Sequence, residues 1–215
     1  MTESPFHLHG EHILVRALQP NDLRQIEAWR PFDDPSHRLW NLPRSSALSR
    51  EVSFMLHSTD PSRLWFAVER LCDGRVIGNL TLRDIAFRDC ARLGISFGAD
   101  YVDQGYGSSA LGLLLRLVFD EWQFQRLLLD VAAPNERARH VYEKFGFRHN
   151  GRHFRNIPPG ESLAFLSEEP YRRFRVYFRS HLGQPQLLFY DMVLERTVWR
   201  GATLRREHTK IRARR

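Results

Sequence analysis

The segment Tyr101–Asp130, YVDQGYGSSALGLLLRLVFDEWQFQRLLLD, decides the fold of this chain. Gly105 and Gly107, in the turn QGYGS, allow backbone conformations that other residues avoid and let a ligand approach the main-chain N–H groups. Apolar residues then recur at helical spacing from position 111 to 122, which predicts an amphipathic helix beginning near Ser108. The N–H groups of its first turn would suit a phosphate or pyrophosphate.

The glycine turn does not match two common phosphate-binding motifs. The chain has no Gly-x-x-x-x-Gly-Lys-Ser/Thr sequence, and the pair Gly105 and Gly107 lacks the third glycine and the preceding strand of a dinucleotide-binding fingerprint. Taken alone, the pair also fits an ordinary tight turn.

The sequence that follows the predicted helix indicates a further strand and a second helix. Leu127–Val131 predicts a buried strand, and Ala132–Asn135 interrupts it. Glu136–Phe145 then predicts a second helix, with Asn135 placed to cap its start and Gly146 to end it in a left-handed conformation.

The motifs QGYGSSALGLLL and LLLDVAAPNERARHVYEKFGF resemble the acetyl-CoA-binding core of the GNAT superfamily of acyl-CoA N-acyltransferases. The nearest pattern is that of the ribosomal-protein N-terminal and small-amine acetyltransferases, and the matching motifs span about Arg92–Gly151. The resemblance implies an α/β fold with a mixed, mostly antiparallel sheet, one splayed pair of parallel strands, and helices on both faces. One position departs from the family: Val102 stands where a Gln or Arg often begins the loop.

The resemblance implies acetyl-CoA as cosubstrate and no metal. The pyrophosphate would bind the glycine turn, and the pantetheine arm would pair with the strand edge Ile95–Phe97. The cofactor-binding residues expected on this basis are Ile95, Phe97, Gly98, Val102, Gln104, Gly105, Tyr106, Gly107, Ser108 and Asn135.

The expected reaction is direct attack of a primary amine on the thioester within a ternary complex. By resemblance, a backbone N–H at the end of the strand Ile95–Gly98 stabilises the oxyanion, and Tyr142 protonates the departing thiolate. Helical spacing alone favours Tyr142 as a core aromatic, and it is the resemblance that favours the proton donor. No general base is assigned, because Glu69 and Asp84 lie near strand ends but in no recognisable motif.

The upstream part of the chain predicts the elements around this core. Pro20–Asp22 begins a short helix that ends before Pro31, and a second amphipathic helix presents Leu48, Val52, Met55 and Leu56 on one face. Further strands are predicted over Ile13–Leu18, Leu64–Arg70, Val76–Arg83 and Ala91–Phe97, with a hairpin turn at Asp73 and Gly74. The last of these strands, the helix from Ser108 and the strand from Leu127 should form a parallel, right-handed unit.

Beyond Gly151 a long connection, Asn156–Pro170, leads to strands predicted over Phe174–Arg179 and Leu187–Val198. Connections of this length are often functional, so it is interpreted as a wall of the acceptor site. Its carboxylates would attract a cationic amine, or would simply face water on a surface excursion. These carboxylates are Glu161, Glu168 and Glu169.

The domain prediction has three parts: an N-terminal arm (1–12), one domain (13–200) with an extended connection at 155–173, and a basic tail (201–215). The 215 residues suffice for one domain with a full core. His7, His9 and His12 lie in the arm without the cysteines or carboxylates that would indicate a metal site. Cys72 and Cys90 are expected to be free thiols. Without an apolar run long enough to span a bilayer, the chain is predicted to be cytoplasmic.

The partner predictions follow from charge and family. The net charge is +7, and the tail from Leu204 onward contributes much of it, so binding to nucleic acid stays open. The acceptor would be a small molecule or a protein N-terminus, and the oligomeric state is undetermined, with a dimer one option. Two other functions stay open: a non-catalytic acyl-CoA-binding protein, and an RNA- or ribosome-associated module that works through the tail.

Overall fold

The computed structural model describes residues 7–40, 52, 54, 55, 58–86 and 89–201. Nine strands lie in these residues: β1 (His7–His9), β2 (Ile13–Ala17), β3 (Leu64–Arg70), β4 (Val76–Ala86), β5 (Cys90–Phe97), β6 (Arg126–Ala132), β7 (Arg148–Asn156), β8 (Phe178–His181) and β9 (Gln184–Glu195). The helices are α1 (Asp22–Glu27), α2 (Tyr106–Arg116), which continues as a π-helical turn over Leu117–Glu121, and α3 (Glu136–Phe145).

The strands form a mostly antiparallel mixed sheet with one parallel pair, β5 and β6. This confirms the predicted fold class. The parallel ladder joins Cys90–Arg92 to Arg126–Leu128. The remaining residues of β5 continue to pair with β4 on the other side.

Contacts group the chain into two compact units, of which the first comprises Met1–Arg30, Pro43–Leu128 and Leu194–Arg215. Its strands follow one another in chain order from β1 to the start of β6. Helix α2 packs against β1 and β2, and α1 packs against β4. The apolar face predicted for α2 is fully buried at Leu111, Leu114 and Leu115, so the glycine turn leads into a helix that packs into the core.

The second unit comprises Pro31–Leu42 and Leu129–Val193. In it β9 pairs antiparallel with both β7 and β8. Helix α3 begins at Asn135, whose Oδ1 accepts a hydrogen bond from the Ala138 N–H at 3.2 Å, and ends at Gly146 with φ 101°. Both ends of α3 are therefore built as the sequence predicts. The prediction of one domain over 13–200 remains a prediction.

The last third of the chain differs from the predicted strands. Residues Tyr171–Tyr177 form a 3-10 helix, and strand β8 covers only Phe178–His181. The aromatic residues Tyr171, Phe174 and Tyr177 recur every third position, which is the period of a 3-10 helix, and they pack on Phe165 and Leu166. Strand β7 is a further difference, since no strand is predicted over its residues.

Strand β9 starts and ends three residues earlier than predicted, and the chain is helical over 196–201. Helical geometry lets Trp199 stack on Phe119 and donate its indole N–H to Asp120 at 3.1 Å. At the other end of the chain, His7–His9 pairs with β2, so this part of the predicted arm is a sheet strand. The predicted helix around 48–56 lies mostly outside the described residues, as do residues 202–215 of the basic tail.

Within the described ranges, the structure has no helix of the length and apolar character needed to cross a membrane.

Candidate active site

The glycine turn leads into α2 without a side-chain cap. Gly105 has φ +82°, and a β-carbon there would meet nothing within 4 Å. The Ser109 N–H donates to the Gly105 carbonyl at 3.0 Å, as the first hydrogen bond of the helix. The N–H groups of Tyr106, Gly107 and Ser108 precede it, at the positive end of the helix dipole. The residues present therefore fit a pyrophosphate.

The side chain of Phe97 lies between β4 and this turn. A β-carbon on Gly78 would lie 2.5 Å from the Phe97 ring, so the absence of a side chain at Gly78 makes room for that ring. On its other side, the ring lies 3.6 Å from the place that a β-carbon on Gly107 would take. Phe97 thus joins the end of β5 to the first turn of α2. Phe97 and Gly107 were predicted from the sequence as cofactor-binding residues, whereas Gly78 was not.

The register of β5 determines which of its main-chain groups face β4. The Gly98 N–H donates to the Ile77 carbonyl at 3.2 Å, which marks this pair as a hydrogen-bonded one. Because such pairs alternate with non-hydrogen-bonded ones in an antiparallel ladder, the main-chain groups of Ile95 and Phe97 point away from β4. Of the predicted cofactor-binding residues at this end of β5, Ile95 and Phe97 are therefore oriented for pairing with a ligand, whereas the N–H of Gly98 is used within the sheet.

Two side chains fix the shape of the turn. Gln104 donates its side-chain N–H to the carbonyl of Asp100 at 2.6 Å. The Arg70 guanidinium lies 5.2 Å from the ring centroid of Tyr101, and hydrogen bonds with Asp73 and then with the side chain of Tyr106 raise the pKa of Arg70. Arg70 therefore contacts residues on both sides of the glycine turn. It is remote from that turn in sequence and carries no motif, so the sequence analysis missed it. The side chain of Val102, in the same turn, is partly buried.

Tyr142 and Asn135 lie on α3, in the second unit. The ring of Tyr142 is partly buried and lies 5.8 Å from the Phe147 ring, centroid to centroid. Burial raises the pKa of the Tyr142 hydroxyl, and the negative charge of Asp130 raises it further. The hydroxyl is therefore neutral, and able to donate a proton, across the physiological pH range.

Asp130 begins a chain of polar contacts within the second unit. Its carboxylate lies 2.8 Å from Arg155 Nη1, Arg155 Nε donates to His153 Nε2 at 2.9 Å, and His153 Nδ1 lies 3.0 Å from Asp191 Oδ2. Because a guanidinium can only donate, His153 Nε2 must accept, and the proton of the neutral ring is on Nδ1, facing Asp191. The alternation of His153 and Arg155 along β7 was the available sequence signal, but β7 had not been predicted.

The two carboxylates considered as bases have other roles. Glu69 accepts a hydrogen bond from Arg16 Nε at 2.8 Å, and Arg16 also binds the buried Asp22. Asp84 is largely exposed and lies 3.8 Å from Arg92. The three glutamates of the long connection, Glu161, Glu168 and Glu169, are all exposed, which agrees with the alternative that they face water.

A comparison with models of protein families identifies the family of this chain. Residues 12–148, more than half of the chain, match the model of the acetyltransferase (GNAT) domain. The chain belongs to the GNAT acetyltransferase family. The matched range contains the glycine turn, both strands of the parallel pair, α2 and α3, so the resemblance inferred from the sequence is confirmed.

Solved structures of GNAT proteins share the fold at low sequence identity. A spermidine N-acetyltransferase from Vibrio cholerae, in complex with CoA and spermine, has a TM-score of 0.65 and 20% identity, covering 88% of this chain and 99% of its own. A GCN5-related N-acetyltransferase from Brucella melitensis has a TM-score of 0.64 and 18% identity, covering 93% and 82%. A GNAT-family acetyltransferase from Bacillus anthracis has a TM-score of 0.61 and 16% identity, covering 89% and 99%. No curated protein matches the chain.

Proposed function

We propose that this GNAT protein transfers an acetyl group from acetyl-CoA to a primary amine, by direct attack within a ternary complex. The observation that carries the proposal is the uncapped start of α2 at Gly105 in a chain of this family. Three consecutive N–H groups and a positive helix end, with no side chain at Gly105 or Gly107, can hold the pyrophosphate of the cosubstrate.

The remaining cofactor contacts are proposed from the positions described above. The outward main-chain groups of Ile95 and the outward carbonyl of Phe97 would pair with the amide groups of the pantetheine arm. Gln104 and Tyr106 would hold the turn in shape, and Val102 and Gly98 flank it. Asn135 would contact the cofactor in addition to capping α3.

The chemistry requires an oxyanion donor and a proton donor. The Phe97 N–H points away from β4 and is the strand-end donor proposed for the oxyanion, since the Gly98 N–H is bonded to Ile77. The N–C bond forms and the C–S bond breaks as the intermediate collapses. Tyr142 donates the proton that the thiolate receives, since its hydroxyl stays neutral at physiological pH. The proton that the amine loses then restores the Tyr142 hydroxyl.

The amine must attack in its neutral form. At pH 7 an alkylamine with a pKa near that of lysine is less than about a thousandth neutral, whereas roughly a tenth of an α-amine is neutral. An alkylamine acceptor therefore needs more help in losing its proton. Because the Vibrio cholerae neighbour is a spermidine N-acetyltransferase, polyamines are the first acceptors to screen, followed by peptides with a free N-terminus.

The proposal is tested by calorimetric and thermal-shift titration with acetyl-CoA, CoA and NADP. At a hundredfold excess over Kd, a ligand that binds only the folded state stabilises it by about 2.7 kcal/mol. We expect this shift with the two CoA species and not with NADP, and we expect Gly107→Trp to abolish it. Arg116→Trp, at an exposed position of the same helix, is the matched control. A wild-type protein that binds no CoA species would contradict the proposal.

Two other functions have their own outcomes in these experiments. Binding of CoA without transfer to any amine would indicate a non-catalytic acyl-CoA-binding protein. Salt-dependent RNA binding that disappears on deletion of residues 204–215 would indicate a function of the basic tail.

A further inference from the structure

Asn79 has a buried polar atom that the fold leaves unsatisfied. It lies in the middle of β4, opposite Ala67 of β3 and Ser96 of β5. Among the residues that the structure describes, its Oδ1 has no hydrogen-bond partner, although this atom is shielded from solvent. A buried acceptor without a donor destabilises a fold, so such an atom in the centre of a sheet calls for an explanation.

The position of Asn79 relates it to the proposed cosubstrate site. Asn79 and Ser96 form a hydrogen-bonded pair of the ladder, because this pair is two positions from the pair of Ile77 and Gly98. Ser96 lies between Ile95 and Phe97, whose main chain points to the opposite edge of β5. Asn79 is therefore one strand away from the edge that we propose to bind pantetheine.

The face of the sheet that carries Asn79 is polar toward β5 and apolar toward β3, where Trp65 lies opposite Thr81. Thr81 lies two residues along β4 and so shares this face. A β-carbon on Gly94, opposite Thr81, would overlap the Thr81 hydroxyl. Asn79, Thr81 and Ser96 thus form a polar group on the β5 side of this face in the first unit, and Gly94 adds no side chain to it.

We infer that Asn79 binds the acceptor amine, with its Oδ1 accepting a hydrogen bond from the amine N–H. This inference rests on the proposed function. A carboxamide does not titrate near neutral pH, so Asn79 would orient the amine without removing its proton. A primary amine can donate an N–H to Asn79 and still direct its lone pair at the thioester. A tertiary amine has no N–H when neutral and would leave the Asn79 oxygen unsatisfied.

The test compares Asn79→Leu, Asn79→Asp and the control Asn150→Leu, an exposed asparagine of β7. The amines are spermidine, putrescine, an amino sugar and a peptide with a free N-terminus. For Asn79→Leu we expect an unchanged or higher Tm, since an unsatisfied polar atom is removed, and an acetyl-CoA Kd within about twofold of wild type. We expect its kcat/KM for the amine to fall by about tenfold or more through KM. Asn79→Asp keeps an acceptor oxygen and should retain most of the activity.

The outcomes separate this inference from the proposed function. If wild type transfers acetyl to an amine and Asn79→Leu does so equally well, Asn79 does not bind the acceptor, and the proposed function stands. A Tm several degrees lower with an unchanged KM would make Asn79 a structural residue and would likewise overturn the inference. If wild type binds acetyl-CoA but acetylates none of the amines, the proposed function fails and the inference fails with it.

Discussion

The guanidinium of Arg155 lies 2.8 Å from the carboxylate of Asp130, and the Asp130 side chain is only 7% exposed. Arg155→Leu would remove the cation that compensates this buried charge. We expect Arg155→Leu to lower the free energy of unfolding by about 2 kcal/mol, less than for a fully buried pair because Arg155 itself is 42% exposed. Urea denaturation at pH 7 measures the change.

Arg152→Leu, at an exposed position of the same strand, is the control and should change stability by less than about 0.5 kcal/mol. Adding Asp130→Asn to Arg155→Leu removes the buried negative charge as well, so the double variant should recover part of the loss. Additive effects of the two single substitutions would show that the pair contributes no coupling energy.

The left-handed conformation of Gly105 gives a matched pair of substitutions. Gly105 and Gly160 both have positive φ, +82° and +90°, and a β-carbon at either would meet nothing within 4 Å. Alanine at either position should therefore cost about 1 kcal/mol of stability through backbone strain. Only Gly105→Ala places a methyl group beside the first N–H groups of α2, so only it should weaken acetyl-CoA binding, by about tenfold or more. Equal Kd values in the two variants would contradict the assignment of the turn.

The sequence predicted best the parts of the fold that depend on local rules. The glycine turn, the periodic helix after it and the capped helix from Asn135 to Gly146 each carry their signal within a few residues, and the structure contains all three. The hairpin turn at Asp73 and Gly74 is of the same kind: β3 and β4 pair on either side of it.

The sequence predicted least where long-range contacts decide the structure. Strand β7 is largely exposed and rich in Arg and His, so it lacks the apolar alternation that marks a strand. The unsatisfied oxygen of Asn79 and the contacts of Arg70 across the turn depend on residues far apart in the chain. No local pattern predicts either, because each exists only once the strands are in register.

Tyr171 donates a hydrogen bond to Asp34 at 3.0 Å and so ties the segment after the long connection to the segment 31–40. Burial opposes ionisation of Asp34, but hydrogen bonds from Ser36 and Tyr171 outweigh it and lower the pKa of Asp34. We expect Tyr171→Phe to lower the free energy of unfolding at pH 7 by about 1 kcal/mol.

The pH dependence of this loss follows from the direction of the Asp34 pKa. A lowered pKa gives stability that is present above the ordinary value of 3.8 and lost as the pH falls through the folded value. The difference in the free energy of unfolding between Tyr171→Phe and wild type should therefore become smaller below pH 3.8. Denaturation curves at several pH values measure it, and a difference that stays constant in acid would show that Asp34 is not the partner that matters.

Burial of Tyr142 has a consequence for stability in alkali. Its hydroxyl has a pKa raised above the ordinary value of 10.0, so the folded state holds its proton at a pH where the unfolded chain releases it. The stability due to this proton is complete below pH 10 and is lost as the pH rises towards the folded pKa. We expect Tyr142→Phe to reduce the loss of stability above pH 10. If the free energy of unfolding fell equally with rising pH above 10.0 in both proteins, water would reach the Tyr142 hydroxyl in the folded state.

The same substitution tests the proposed acid in catalysis. Tyr142→Phe keeps the ring that packs on Phe147 and removes only the proton donor, so acetyl-CoA binding should change by less than about threefold while kcat falls by about a hundredfold. Because the pKa of Tyr142 is raised by its burial, wild-type kcat should not decline from loss of this proton between pH 7 and 9. Tyr177→Phe, a tyrosine of the 3-10 helix, controls for removing a phenolic hydroxyl elsewhere. If Tyr142→Phe matched wild-type turnover with both an alkylamine and a peptide N-terminus, the leaving thiolate would take its proton from another group.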